Sequence, residues 1–467
     1  MKHSIGGICV SIVQKEQHKP REGFATSLGV ITATLGSAVG LGNIWKFPYM
    51  TGENGGAAFI LVYLLCVILV GLPVMISELI IGRTTQANAI TAFKRLAPNR
   101  PWYLVGVSGT AASFLIMAFY TTVAGWVFSY IFKAASGVIS TTDPEVTTQV
   151  FKTSMSAVWS PLLWQWFVLL FTGSIIMLGV TKGIERITKT LMPILFLLLL
   201  ICVIRALTLP GASEGLKFLF RPDFSKITGA TILTAMGLSF FKLSVGMGTM
   251  ITYGSYFGFR ENIPYTAVKV MLSDTLVSIL AGMAIFPAVF AFGFKPDAGP
   301  SLLFITIPTV FASMPLGNIF MVLFFLLVSI AATGAMISLL EVPVAYFTEE
   351  LKWSRLKATL VTIISIALVG TTATLSFSTL GDTKFFDKTF FDLYDFLTSN
   401  ILLPVGGLLI TYFIAWKWGL KNIAREASNN GSLSNQPVIN IYFFIVRYLA
   451  PIAITLILLN GLGFIKI

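Results

Sequence analysis

Charge is what this chain has least of. Only 11% of its 467 residues are Asp, Glu, Lys or Arg, where a soluble domain carries roughly 25%. With 55% hydrophobic residues and a mean hydropathy of +0.84, it cannot cover its own surface in water. A soluble enzyme and a disordered chain are both excluded. Histidine is nearly absent: His3 and His18 both precede the first long apolar run. A histidine-based triad or metal cluster inside the apolar body is therefore ruled out. The three cysteines, Cys9, Cys66 and Cys202, lie in or near apolar segments without CxxC spacing, so neither a disulfide framework nor a metal site is indicated. The stretch Ile5 to Val13 is too weak and too glycine-interrupted for a signal peptide.

What the chain has is apolar length. A bilayer core takes about 20 apolar residues per helix. Eleven segments qualify, near 24–49, 55–81, 103–131, 162–180, 188–207, 228–257, 265–292, 317–348, 357–377, 393–415 and 438–463. The longest loops are 132–160, 208–227 and 293–316, none long enough for a second domain. The fold class read from this is an all-α integral membrane protein. Its parts are an N-terminal segment 1–23, a core 24–420 and a C-terminal segment 421–467 carrying the eleventh helix. With the N-terminus inside, inner segments hold 19 of the 32 Lys and Arg, so a cytoplasmic N-terminus and an outer C-terminus are expected in a bacterial-type inner (plasma) membrane. The net charge of +12 fits cytoplasmic loops better than nucleic acid.

Two of the segments are interrupted. Val39-Gly40-Leu41-Gly42 sits within the first and Val245-Gly246-Met247-Gly248 within the sixth. Each glycine weakens a helix by about 1 kcal/mol relative to Ala. A matched pair five spans apart points to a transporter of two five-helix inverted repeats, about 24–207 and 228–415. Broken helices free backbone groups at mid-membrane, where a ligand, ion or water is expected to meet them.

The run Gly36-Ser37-Ala38-Val39-Gly40-Leu41-Gly42-Asn43-Ile44-Trp45-Lys46-Phe47-Pro48-Tyr49, followed by Glu53-Asn54-Gly55-Gly56, closely resembles the signature of the neurotransmitter:sodium symporter family. Tyr120 with Ala124-Gly125-Trp126, Lys182-Gly183-Ile184-Glu185-Arg186, Phe240-Phe241 before Leu243-Ser244, Ser338-Leu339-Leu340-Glu341, and Asp395-Phe396 before Leu402-Leu403-Pro404 also match. The resemblance implies the LeuT-type fold, no enzymatic activity, and an amino-acid site between spans 1, 3, 6 and 8. It places the substrate carboxylate at the N–H groups around Gly40, Leu41 and Gly42 and at the Tyr120 hydroxyl; a helix terminus suits an anion. The ammonium then meets the carbonyls of Ala38 and Phe241 and the Ser244 hydroxyl. Ile116, Tyr120, Phe241, Met247, Ser338 and Leu339 make an apolar pocket, which fits a hydrophobic or aromatic amino acid. Lys46 and Asp395 match the outer gate, Arg21 and Glu349 the inner one. The family usually has Arg where Lys46 stands, and Lys lacks the bidentate fork.

The ion sites are where this chain departs. At the first sodium site Ala38 and Asn43 remain, but Lys242 stands at a threonine position. Asp274 stands at an asparagine position, if Ala281-Gly282 and Ile285-Phe286 set the register; a slip of one puts Ser273 there. At the second site Gly36, Val39 and Ala331 offer carbonyls, but the two hydroxyl positions are Gly334 and Ala335, and Thr333 comes one residue early. The chloride locus keeps Tyr63 and Ser278 and has Leu238 for glutamine. A mid-membrane lysine costs about 2.5–3.5 kcal/mol on insertion. The reading is that its ammonium takes the place of sodium, faces the substrate carboxylate and has Asp274 as countercharge. Transport is then open to facilitation, exchange or proton coupling. Sodium coupling through residual sites and a non-transporting amino-acid sensor are the alternatives. No organic cofactor is expected, sodium is left open, and oligomeric state is not legible.

Overall fold

In the computed structural model, which describes residues 22–294 and 302–465, the chain is helical, and among the described residues its only β-bridge is the isolated one between Phe385 and Lys388. The membrane body is built from α1 (Ser27–Ala38), α2 (Gly42–Glu53), α3 (Ala57–Thr85), α4 (Tyr103–Ala135), α5 (Trp159–Met177), α6 (Val180–Leu207), α7 (Gly229–Lys242), α8 (Thr249–Gly254), α9 (Ile263–Ala291), α10 (Gly317–Glu349), α11 (Arg355–Leu375), α12 (Phe390–Trp418) and α13 (Gln436–Gly461). Among the described residues, nine unbroken helices are long and apolar enough to cross a membrane, or ten when α1 and α2 count as one span bent by 51°. The sequence leads to eleven. The difference lies at the sixth segment, where residues 243–248 separate α7 from α8 and leave pieces of 14 and 6 residues, each too short alone. The long loops are not bare either: they contain the helices Pro144–Ser156, Ala212–Phe220 and Thr306–Ala312.

Both breaks fall on the glycine pairs. α1 ends at Ala38, and the chain turns helical again at Gly42. Past α7 the backbone takes positive φ at Ser244 (53°), Gly246 (80°) and Gly248 (76°), a conformation that costs glycine little and an L side chain more. Ser244 is thus held in a strained setting by its surroundings.

Two kinds of contact fix the half-helices. α8 lies against α3 at backbone distance: a Cβ at Gly254 would sit 2.7 Å from the Leu79 carbonyl oxygen, and one at Gly82 would strike the Ile251 carbonyl. Small residues permit such close packing in lipid. The start of α1 is instead tied by polar groups. Glu185 of α6 accepts the Ala25 N–H (2.7 Å) and the Thr26 hydroxyl (2.8 Å), and Lys189 pairs with it at 2.5 Å. Ser27 donates to Glu261 at 2.5 Å. Beside this, buried Glu341 of α10 accepts from Tyr256 and from Arg355, each at 2.6 Å.

Candidate functional site

The backbone groups released at the two breaks are met by the protein itself. The Gly40 N–H donates to Asn43 Oδ1 (3.1 Å) and the Leu41 N–H to the Tyr120 hydroxyl oxygen (3.0 Å). In the second break the Gly246 N–H donates to Glu78 Oε1 (2.6 Å), Thr249 donates to the Ser244 carbonyl (2.6 Å), and Ser113 donates to the Met247 carbonyl. The two breaks are also joined, because the Ser244 hydroxyl donates to the Ser37 carbonyl at 2.8 Å. This corrects the expectation that ligand, ion or water must complete them; side chains on α3 and α4 do much of it, as buried polar groups require.

Between the breaks lies a small, nearly filled cavity of about 20 Å³, well below the roughly 300–1,000 Å³ usual for small-molecule sites, so an occupant needs the surrounding side chains to move. Nine of the sequence-derived binding residues line it: Ala38, Gly40, Gly42, Ile116, Tyr120, Phe241, Lys242, Ser244 and Met247. Three do not. Leu41 lines a second cavity that shares Gly42, Tyr120 and Phe241 with the first. Ser338 is fully buried and turns its hydroxyl to the Ala335 carbonyl of its own helix (2.8 Å), and Leu339 belongs to the core. Ser37 and Ala335 line the cavity and are absent from that set. Their one sequence signal is adjacency: Ser37 precedes the first break, and Ala335 sits three residues before Ser338 on α10.

The second cavity is about 230 Å³ and includes Trp45, Lys46, Tyr49, Phe119, Phe391 and Asp395. The Phe241 ring borders both spaces, and the Lys46 ammonium stands 4.5 Å from its centroid. Among the described residues no ion pair joins Lys46 to Asp395; Asp395 accepts from Ser399 at 2.9 Å. Of the inner pair, Glu349 accepts from the Asn88 N–H (2.8 Å) and side-chain amide (2.9 Å), and Arg21 lies outside the described residues.

Lys242 is fully buried, and its surroundings are polar on every donor. Its ammonium donates to the Tyr63 hydroxyl (2.9 Å) and to Ser278, and lies 3.1 Å from Asp274 Oδ2, an electrostatic contact off the line of a well-directed hydrogen bond. The rings of Phe47 and Tyr63 each face it at 4.7 Å. Three polar partners match the three N–H donors of an ammonium. The side chain therefore runs past Gly42, whose Cβ would lie 3.3 Å from Lys242 Cγ, and ends among residues that do not line the cavity. This corrects the expectation that the ammonium faces the substrate carboxylate. Asp274, rather than Ser273, is the partner. Asn43 ties the pair back to the first break, its amide reaching Asp274 Oδ1 (2.6 Å) and Ser278 (3.0 Å).

The residues expected at the second sodium locus lie close together. A Cβ at Gly334 would lie 2.6 Å from the Gly36 carbonyl oxygen, and one at Gly40 3.0 Å from Ala335 Cβ and 3.9 Å from the Ala331 carbonyl. Thr333 donates to the Ser329 carbonyl one turn back (2.8 Å). Val39 is fully buried in the core.

Residues 21–157 and 151–465 match the sequence model of the Sodium:neurotransmitter symporter family. The chain is 41% identical over 450 residues to an uncharacterized sodium-dependent transporter, YhdH, of Bacillus subtilis (strain 168), covering 96% of this chain and 99% of the relative. It is 32% identical over 322 residues to the sodium-dependent neutral amino acid transporter B(0)AT3 of Mus musculus, covering 62% of this chain and 51% of that one. Among solved structures it superposes on MhsT in complex with L-phenylalanine with a TM-score of 0.87, at 43% identity, covering 94% of this chain and all of the other. The fold is the LeuT type, with helices broken at the first and sixth spans.

Proposed function

Since the chain belongs to the sodium:neurotransmitter symporter family, we propose that it carries a hydrophobic or aromatic amino acid across an inner (plasma) membrane by alternating access, its Lys/Arg-rich loops in the cytoplasm. We further propose that the Lys242–Asp274 pair stands in for the mobile ion of the first sodium site. The observation that carries this is the buried ammonium at 3.1 Å from Asp274, in contact with Ser278 and linked through Asn43 to the first helix break.

The cavity chemistry supports an amino acid. Tyr120 accepts from the Leu41 N–H and keeps its own proton for a carboxylate. Ser244 spends its proton on Ser37, so its lone pairs face an ammonium's needs. Ile116, Phe241 and Met247 supply apolar walls, and a methionine adapts its shape to a ring. That MhsT is seen with L-phenylalanine supports the aromatic choice.

The residues at neither locus fit a sodium ion. A hard cation takes oxygen ligands. The first locus presents a second cation, and its carboxylate is already shared with Asn43 and Lys242. At the second, two hydroxyls are replaced by Gly334 and Ala335, and the Gly36 carbonyl is packed against Gly334. A charge bonded to the chain cannot leave with the substrate. Flux then follows the substrate's own gradient, runs as exchange, or is linked to protons.

The test is counterflow of radiolabelled phenylalanine in proteoliposomes with sodium replaced by choline. Rates within about twofold are expected, a change of only ~0.4 kcal/mol in barrier. Strict sodium dependence would reject the surrogate role, and binding without counterflow would favour a sensor. Lys242→Thr with Asp274→Asn restores the family's residues at the first site and is expected to make binding respond to sodium.

A further inference from the structure

Arg447 has no role in this scheme, yet it lies within α13, eleven residues from its start at Gln436 and beside Trp416 near the end of α12. Ionisable groups in membrane helices are rare and mark function by default. Its guanidinium is held among three rings, 5.8 Å from Trp416, 5.6 Å from Phe443 and 5.5 Å from Tyr448. Among the described residues no hydrogen bond or ion pair reaches it, and its buried Nε has no partner. Glu426, the acid on the neighbouring short helix Leu420–Ala427, is taken by Arg83 at 2.5 Å.

The rings extend as a ladder. Trp416 stacks on Tyr412 (5.2 Å), and Tyr412 stacks on Trp102 (6.0 Å). Trp102 caps the start of α4 and Trp416 lies two residues from the end of α12, so the ladder marks a membrane–water boundary, where such rings concentrate. Tyr412, Trp416 and Tyr448 are 51%, 43% and 48% exposed. Immediately beyond them stand exposed Lys417, Lys421 and Arg425. An outward-facing aromatic wall, a cation without a carboxylate, and a basic rim are complementary to one occupant. Its charge is negative, and it has an apolar part that lies along rings at the interface.

We propose that Arg447 anchors an anionic phospholipid, its guanidinium meeting the phosphodiester, the Trp416–Tyr448 wall meeting the glycerol and upper acyl region, and Lys417, Lys421 and Arg425 supplying the surrounding potential. Arginine suits the role because its planar fork binds phosphate bidentately and stacks on rings. A basic pocket between membrane helices is a recognised headgroup site.

Full-length protein in neutral phosphatidylcholine nanodiscs, titrated with phosphatidylglycerol, tests this, with retained lipid counted by native mass spectrometry. Wild type is expected to retain phosphatidylglycerol. Arg447→Gln should weaken retention about fivefold, the effect of one basic side chain near the surface, and Arg447→Lys should fall between. Equal retention by wild type and Arg447→Gln would overturn the proposal. So would inorganic phosphate displacing the lipid at millimolar concentration, which would mark a free-anion site. If Arg447→Gln is not recovered, Arg447→Lys decides: undiminished retention there sinks the bidentate anchor.

Discussion

Removing one member of the Lys242–Asp274 pair should hurt far more than removing both. At 3.1 Å the two charges attract by roughly 5 kcal/mol at an effective dielectric of 20. Desolvation of both groups offsets much of that, so the pair contributes little net stability. A single truncation is different. Lys242→Met leaves the Asp274 carboxylate buried with only neutral partners, Asn43 and Tyr63, and Asp274→Leu leaves a buried ammonium on two hydroxyls. Each should cost about 3–5 kcal/mol, whereas the double variant should lie near wild type or above it. Unfolding in mixed micelles of increasing SDS fraction, followed by tryptophan fluorescence, measures all four corners of the cycle. With both single losses recovered in the double variant, a coupling energy of about 6–10 kcal/mol is expected, the sum of the two single losses. Additive losses, or single variants as stable as wild type, would refute the claim that these two charges hold each other in the membrane.

Restoring a hydroxyl at Gly334 should not rebuild the second sodium locus. The added Cβ meets the Gly36 carbonyl oxygen at 2.6 Å, so Gly334→Ser should destabilise by about 1–3 kcal/mol, read in the same SDS titration, with no sodium dependence gained in uptake. Arg355→Met should cost about 3–5 kcal/mol by leaving Glu341 buried with Tyr256 as its hydroxyl partner; Glu341→Gln in that background should recover most of the loss.

The breaks were legible because they depend on backbone freedom, and glycine spacing writes that into the sequence. Gly40 and Gly42 mark the end of α1, and the positive φ values at Gly246 and Gly248 fall where the second pair stands. Much of the cavity followed from the same positions. The direction of the Lys242 side chain did not. Four flexible bonds let one Cα serve either the cavity or the Tyr63–Ser278 cluster, and the choice is made by partners on α3 and α9. Ser338 failed for a related reason: a helical serine can bond its own turn, as this one does with Ala335. Ala335 was given to an ion site, but with no hydroxyl there the methyl became a cavity wall. The short helices between spans were missed because none is long enough to register as an apolar segment.

The half-helices α1 and α8 are fastened by forces of different kinds. Parting α8 from α3 at Gly82 and Gly254 would open a void between touching main chains, with no solvent in hydrocarbon to compensate either surface. Releasing the start of α1 breaks hydrogen bonds instead: the exposed Ser27–Glu261 bond is exchanged for water, while buried Glu185 gives up Ala25 and Thr26. The two holds therefore answer to different changes: added bulk at Gly82 or Gly254 for one, loss of the Glu185 or Glu261 carboxylate for the other.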